Sequence, residues 1–320
     1  MGGGHVDISI LMITYNHEKY IAQAIESVLA QETRLEYELV IGEDCSTDRT
    51  REIVLDFQRR YPDKIRLLLR DRNLGMQRNF LDTLRACRGK YIAWLEGDDY
   101  WLGTDKLQKQ ADFLDSHPDY AICFHSVSIL NEGHVVEPYL WNELWKKNTF
   151  TLEELLVADF IPSCSAMFRN GLTPELPDRF FQLGHSDWPI FVLIARHGLI
   201  GYIEGRMAVY RLHAGGVTAQ HDDLRRAQFA LMLYDFLWPY LEPRYYALVK
   251  REKAQRYATL TFAYLDRGDR RNALDALVKC FTLAPLHSTI PLGLAARLLF
   301  KLSFPGSYRF FQMLRQSIRR

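Results

Sequence analysis

Nowhere do eighteen or more apolar residues run together in this 320-residue chain, so no membrane-spanning helix is expected. The amino terminus, Met1-Gly2-Gly3-Gly4-His5, has neither the basic nor the apolar region of a secretory signal. Residues 1–5 read as a short disordered leader. Cysteine is sparse, with five residues at 45, 87, 123, 164 and 280 and no Cys-x-x-Cys. An odd, dispersed set argues against a disulfide framework or a zinc site and for a reducing cytosol. No Gly-x-Gly-x-x-Gly follows the first apolar segment and no Walker A lysine loop occurs anywhere. That sets aside dinucleotide dehydrogenases and P-loop NTPases.

What is present is ordinary in bulk and uneven in distribution. Apolar residues make up 48% and charged residues 25%, as in soluble globular proteins, and the net charge is only +1. Residues 225–320 nevertheless carry 17 Lys and Arg against 6 Asp and Glu, leaving 23 against 33 in residues 1–224. An acidic front part therefore precedes a basic tail part, and a basic part suits an anionic partner such as a membrane surface. Its basic residues are dispersed through apolar helices rather than clustered, which argues against nucleic acid.

The front part alternates strand and helix patterns. Ile8 to Ile13, Tyr37 to Gly42, Ile65 to Leu69 and Ile92 to Leu95 are short apolar runs that predict buried strands. Between them, Ile21, Ala24, Ile25, Val28 and Leu29 fall on one face of a helix, and so do Ile53, Val54 and Phe57. A third helix is expected over about 76–87. Ser46 or Thr47 is expected to cap the second helix. Units of roughly 25 to 30 residues match βαβ crossovers and predict a mostly parallel sheet covered by helices on both faces. Ligands in such sheets lie beyond the carboxyl ends of the strands. Thr14-Tyr15, Asp44, Arg70 and Asp98-Asp99 all fall at such ends.

The turn Glu96-Gly97-Asp98-Asp99 is the most informative stretch. Three carboxylates in four residues at the end of a buried strand repel one another unless a positive group stands between them. Mg²⁺ or Mn²⁺ meets that need, taking one or two carboxylates plus substrate phosphates. The plainer reading is a solvated acidic turn. Further on, a helix is expected over 104–116, a strand over 120–130, an irregular loop over 131–150 and a strand over 161–169. Ser186 is expected to cap a helix running to about His197, with Asp187 in its first turn and Ile190, Leu193 and Ile194 inward. Two short segments, 201–203 and 207–213, follow, the second ending at His213. Taken singly, Asp187 reads as a helix-dipole carboxylate and His213 as a packed histidine. From residue 222 the pattern is helical throughout. Ala258 to Pro285 reads as one tetratricopeptide-like hairpin, and 292–320 as a basic amphipathic end.

The order and spacing of these pieces resembles the family 2 glycosyltransferases, which have the A-type glycosyltransferase fold. The matching stretches are Ser9 to Asn16, Glu43 to Asp48, Asn73-Leu74-Gly75 with Arg78-Asn79, Glu96 to Asp99, Ser186-Asp187-Trp188 and Tyr210 to His213. They cover about residues 6–217. The resemblance implies an α/β, Rossmann-like, mostly parallel sheet as a catalytic domain over 6–221, followed by an all-helical region over 222–320. It implies that Thr14 and Tyr15 wall the nucleobase and that Asp44 reads a uracil or thymine ring N–H. Arg70, with Arg78 as the alternative, contacts the diphosphate or base. Asp98 serves the ribose or the metal, Asp99 the Mg²⁺ or Mn²⁺ directly, His213 the metal or the diphosphate, and Asp187 is the general base. Three positions depart from the usual pattern. Glycine is commoner than Cys45, aspartate is commoner than Glu96, and an acidic residue often stands where Ser186 is.

The expected activity is inverting, metal-dependent transfer of a sugar from a UDP- or dTDP-sugar to a hydroxyl, on a surface polysaccharide or lipid-linked glycan precursor. The cell's inner membrane face, reached from the cytoplasm through the basic tail, is the expected location; homo-oligomers are left open. A nucleotidyltransferase needs a Gly-, Arg- and Lys-bearing loop after the first strand, where Thr14-Tyr15-Asn16-His17 stand instead. The remaining alternative is a non-catalytic nucleotide- or glycan-binding scaffold on the same fold.

Overall fold

The computed structural model describes residues 5–131, 134–136, 147–184, 187–213, 215–216 and 222–283. The chain divides into two compact units, Met1–Ala219 and Gln220–Arg320.

The first unit begins with the alternation that the apolar runs predict. Strands β1 (Ile8–Thr14), β2 (Tyr37–Glu43), β3 (Ile65–Leu69) and β4 (Tyr91–Trp94) alternate with helices α1 (Ile21–Leu29), α2 (Thr50–Arg60) and α3 (Met76–Ala86). Strand β1 is buried along its whole length, as a strand covered on both faces requires. Helix α1 buries Ile21, Ala24, Ile25 and Val28, the stripe that its spacing predicts. The next elements are β5 (Tyr100–Trp101), α4 (Lys106–Ser116), β6 (Tyr120–Asn131), β7 (His134–Val136), β8 (Thr149–Phe150), α5 (Leu152–Val157), β9 (Met167–Arg169), α6 (Asp187–Ala195) and β10 (Leu199–Leu212).

Among the described residues the strands form one mixed ten-stranded sheet, ordered β3-β2-β1-β4-β9-β6-β10-β5 with β7 on β6 and β8 on β10. The first four strands are parallel, and β6 runs parallel to β10. Strand β9 is antiparallel to both β4 and β6 and joins the two blocks.

Several local expectations are corrected. Helix α2 begins at Thr50 with no side-chain cap from Ser46 or Thr47; Ser46 Oγ accepts Asn16 N–H instead, at 3.0 Å. The strand expected over 161–169 is only three residues long, because Ser163–Ser165 form a 3-10 turn after Pro162. The two segments after residue 200 are one 14-residue strand, β10, whose register shifts around Arg206. Helix α6 has no polar face: every residue from Trp188 to Ala195 is buried, between β6 and α5. Ser186, most of the 131–150 loop, most of the 1–5 leader and the basic end at 292–320 lie outside the described residues.

The second unit contains α7 (Asp223–Leu237), α8 (Tyr246–Asp266) and α9 (Arg270–Leu283). Helices α8 and α9 form a hairpin, turning through Gly268 at φ 78°. Ala254, Ala258 and Cys280 are buried between them, and Ala227, Leu231, Leu260 and Ala276 bring in α7. No described helix is long and apolar enough to cross a membrane.

Helix α3 lies very close to β2. A Cβ on Gly42 would stand 2.1 Å from Thr83 Oγ1 and 2.6 Å from Asn79 Oδ1. Both neighbours are fixed: Asn79 Nδ2 donates to the Gly42 carbonyl at 2.7 Å and Thr83 Oγ1 to the Asn79 carbonyl. Gly42→Ala should therefore destabilise the first unit by about 1–3 kcal/mol, the usual cost of overpacking. Chemical unfolding of the two proteins measures it.

Candidate active site

The carboxyl ends of β1, β2 and β4 converge because the backbone ties them together. Asp44 N–H donates to the Thr14 carbonyl and Gly97 N–H to the Ile13 carbonyl, each at 3.0 Å. Gly97 is needed for this approach, since a Cβ there would lie 2.7 Å from Thr14 Oγ1. Thr14 is buried and Tyr15 is exposed.

Asp44 is 2% exposed. Its two oxygens accept the N–H groups of Leu74 (2.8 Å) and Gly75 (3.0 Å). Burial raises its proton affinity, against the two amides and the charge of Arg70. The Asn73-Leu74-Gly75 turn is thus folded around this carboxyl. Beside it, Arg70 donates from Nε to Asn79 Oδ1 at 3.2 Å, and one of its terminal nitrogens is buried with no hydrogen-bond partner. Arg78 is exposed, its guanidinium 4.7 Å from the Phe181 ring centre. Of the two arginines, the structure brings Arg70 to Asp44.

The acidic turn resolves its own repulsion. Burial pushes the Glu96 carboxyl up to about 8, helped by the charges of Asp98 and Asp187 and opposed by Ser163. Ser163 Oγ–H donates to Glu96 Oε2 at 2.9 Å. Asp99 is 1% exposed, and burial, Asp98 and Glu96 raise its proton affinity strongly. Its Oδ1 accepts Arg211 N–H at 2.8 Å, while its buried Oδ2 has no hydrogen-bond partner. The Cys164 thiol also lies against this carboxyl.

Asp98 is the member that stays ionised. Burial works against its charge, but His213, His17 and the backbone outweigh it and hold the carboxyl below the usual range. His213 Nε2–H donates to Asp98 Oδ2 at 3.1 Å, and His17 Nε2 lies 3.7 Å from the same oxygen. The His213 hydrogen bond is the firmer cause, because burial lowers the proton affinity of His17 itself. His17 Nδ1 is 3.2 Å from Thr14 Oγ1.

Asp187 opens α6 and accepts its neighbour's N–H, from Trp188, at 2.9 Å. Its charge raises the proton affinity of both Glu96 and Asp159.

Thr14, Asp44, Arg70, Asp98, Asp99 and His213 are brought to one end of the sheet, with Asp187 beside them. His17 was not singled out from the sequence; a histidine three residues past a strand that ends at a ligand-binding edge was the available signal. Among the described residues no group of three or more His, Cys, Asp and Glu is arranged to hold a metal ion. A carboxylate oxygen and an imidazole nitrogen 3.1 Å apart nonetheless suit a hard cation that takes its other ligands from water and phosphate.

The family model for glycosyl transferase family 2 matches residues 9–173, just over half of the chain. The chain belongs to glycosyl transferase family 2. Among its relatives, uncharacterized protein Rv1520 of Mycobacterium tuberculosis is 38% identical over 210 residues, spanning 66% of this chain and 60% of that protein. The poly(ribitol-phosphate) beta-N-acetylglucosaminyltransferase TarS of Staphylococcus aureus is 32% identical over 111 residues, 34% of this chain and 19% of that protein. Two solved structures share the fold at 16% identity. They are S. aureus TarS 1–349 with UDP-GlcNAc (TM-score 0.56, covering 85% of this chain and 89% of that one) and the mannosyltransferase PcManGT from Pyrobaculum calidifontis with GDP-Man and Mn2+ (TM-score 0.60, covering 98% and 85%).

One departure from the family 2 pattern is visible in the backbone. Cys45, where glycine is commoner, sits at φ 59°, a left-handed conformation costing an ordinary residue about 1–2 kcal/mol. Cys45→Gly removes that strain but loosens the unfolded chain by about 0.4–1 kcal/mol. A net gain of up to about 1 kcal/mol is expected in equilibrium unfolding, with nucleotide binding unchanged.

Proposed function

We propose that this family 2 protein moves a sugar from a nucleotide-diphosphate sugar to an acceptor hydroxyl, with inversion. The observation that carries the reading is Asp98, ionised beside His17 and His213 at the converging ends of β1 and β4, with the charge of Asp187 felt at neighbouring Glu96. The base is held at Thr14, Tyr15 and Asp44. A ring N–H finds an acceptor in Asp44, and that favours uracil or thymine. Arg70, whose terminal nitrogen lacks a partner, offers a donor to the diphosphate or base.

Asp98, Asp99 and His213 are the residues that would hold Mg²⁺ or Mn²⁺; Asp99 Oδ2 is buried without a hydrogen-bond partner. When bound, the ion neutralises charge on the departing nucleoside diphosphate as a Lewis acid. Asp187 takes the proton from the acceptor hydroxyl as it attacks, and one positioned carboxylate suffices for that role. Direct displacement inverts the anomeric centre. Glu96, holding its proton near neutral pH, keeps a second negative charge from crowding Asp98. A surface polysaccharide or lipid-linked glycan is the proposed acceptor. The excess positive charge of residues 225–320 supports work at the inner face of the cell membrane.

A thermal-shift screen against UDP, dTDP, GDP, CDP and CMP, each with and without Mn²⁺, tests the donor class. A nucleotide at a hundred times its dissociation constant stabilises by about 2.7 kcal/mol. We expect a Mn²⁺-dependent shift with UDP or dTDP, lost in Asp98→Asn. Asp187→Asn should keep that shift while losing about 10²–10⁴-fold in transfer rate. Near-normal transfer by Asp187→Asn contradicts the base assignment.

A further inference from the structure

We propose that Arg211 is the positioning residue that sets His213 against Asp98, acting through a planar rack rather than through its charge. The proposal rests on the metal assignment above. His213 stands just beyond β10, whose last residue paired to β6 is Leu212. The sheet ladder therefore does not fix the imidazole, and something beside it must.

Arg211 is bound on every side. Its backbone N–H donates to Asp99 Oδ1. One terminal nitrogen donates to the Asp98 carbonyl at 2.5 Å and the other to Gln23 Oε1 on α1. The guanidinium carbon lies 4.5 Å from the centre of the Tyr100 ring on β5 and 5.1 Å from that of Tyr20, just before α1. Tyr20 in turn packs against the His213 ring, centroids 4.9 Å apart. One side chain thus ties α1, β5, the acidic turn and the end of β10 together.

What Arg211 leaves alone is equally informative. Among the described residues it makes no ion pair with Asp98 or Asp99, although both adjoin it. A cation serving only to relieve the acidic turn would lie on those carboxylates. Arg211 takes the Asp98 carbonyl instead, so the Asp98 carboxylate stays available to His17 and His213. A guanidinium bridges two acceptors in its own plane while stacking on rings, and an ammonium does not. Residues that orient metal ligands in this way are typically worth about 10–100-fold in metal affinity.

The test is Mn²⁺ binding with saturating UDP, read from the free-ion signal in electron paramagnetic resonance, beside the melting temperature of each variant. Asp98→Asn should abolish UDP-dependent Mn²⁺ uptake. Arg211→Ala and Arg211→Lys should both weaken it by roughly tenfold or more. Gln23→Leu, on the exposed face of α1, should weaken it to a smaller degree with an unchanged melting temperature, so the proposal stays testable if the Arg211 variants fold poorly. A purely structural Arg211 would lower the melting temperature while the folded fraction bound Mn²⁺ like wild type, which overturns the proposal. Full rescue by Arg211→Lys overturns it as well, because charge alone would then suffice. If Asp98→Asn binds Mn²⁺ normally, the metal assignment falls and this inference with it. If Asp98→Asn fails to bind but Arg211 and Gln23 variants do not differ from wild type, only this inference falls.

Discussion

Three carboxyl groups within four residues, at the buried end of a strand, cannot all carry charge, and the site is organised by how that conflict is divided. Glu96 is pushed up to about 8 and bonded to Ser163. Asp99 is buried against β10 with its proton affinity raised. Asp98 keeps its charge because two imidazoles face one of its oxygens. Each solution depends on the others: an ionised Glu96 or Asp99 would push the charge out of Asp98, and without His213 the burial of Asp98 would do the same.

The fold supplies the closeness that creates this conflict. Gly97 admits the acidic turn against Thr14, and Gly42 admits α3 against β2. Parallel pairing of β1 with β2 and β4 brings the donor-side residues to one edge. The β6–β10 block, stitched on through β9, delivers His213 and Arg211 from the far side of the sequence. A site assembled from two blocks needs a tie between them, and the contacts of Arg211 with Gln23, Tyr20, Tyr100 and the acidic turn form one.

Much of this was legible in the chain. Continuous apolar runs located β1 to β4 and 3.6-residue patterns located α1 and α2, because strands covered on both faces and helices with one buried face encode those patterns. Helix α6 buries Ile190, Leu193 and Ile194 as expected, and its other residues from Trp188 on as well, which a one-sided pattern does not convey because a helix buried on all sides has no amphipathic signature. Ser46 failed as a cap because Asn16, in a left-handed conformation, competes for its hydroxyl, a long-range contact that local capping rules do not see. The inward placement of Lys106, over Trp101 at 4.2 Å and bonded to Gln110, is likewise invisible in a charge pattern. For the site, the residue types at strand ends were informative. The division of charge between Asp98 and Asp99 was not, because it depends on which carboxyl meets Arg211 N–H and which meets His213.

The division of charge is best tested by carbon-13 NMR titration of the side-chain carboxyls in wild type, Glu96→Gln and Asp98→Asn. One glutamate carboxyl is expected to titrate with a midpoint near 8, absent in Glu96→Gln and moved down in Asp98→Asn as its charged neighbour disappears. If every carboxyl instead titrates within the ordinary range of about 3–5, the three groups are independently solvated, and the partition on which this site is built does not exist.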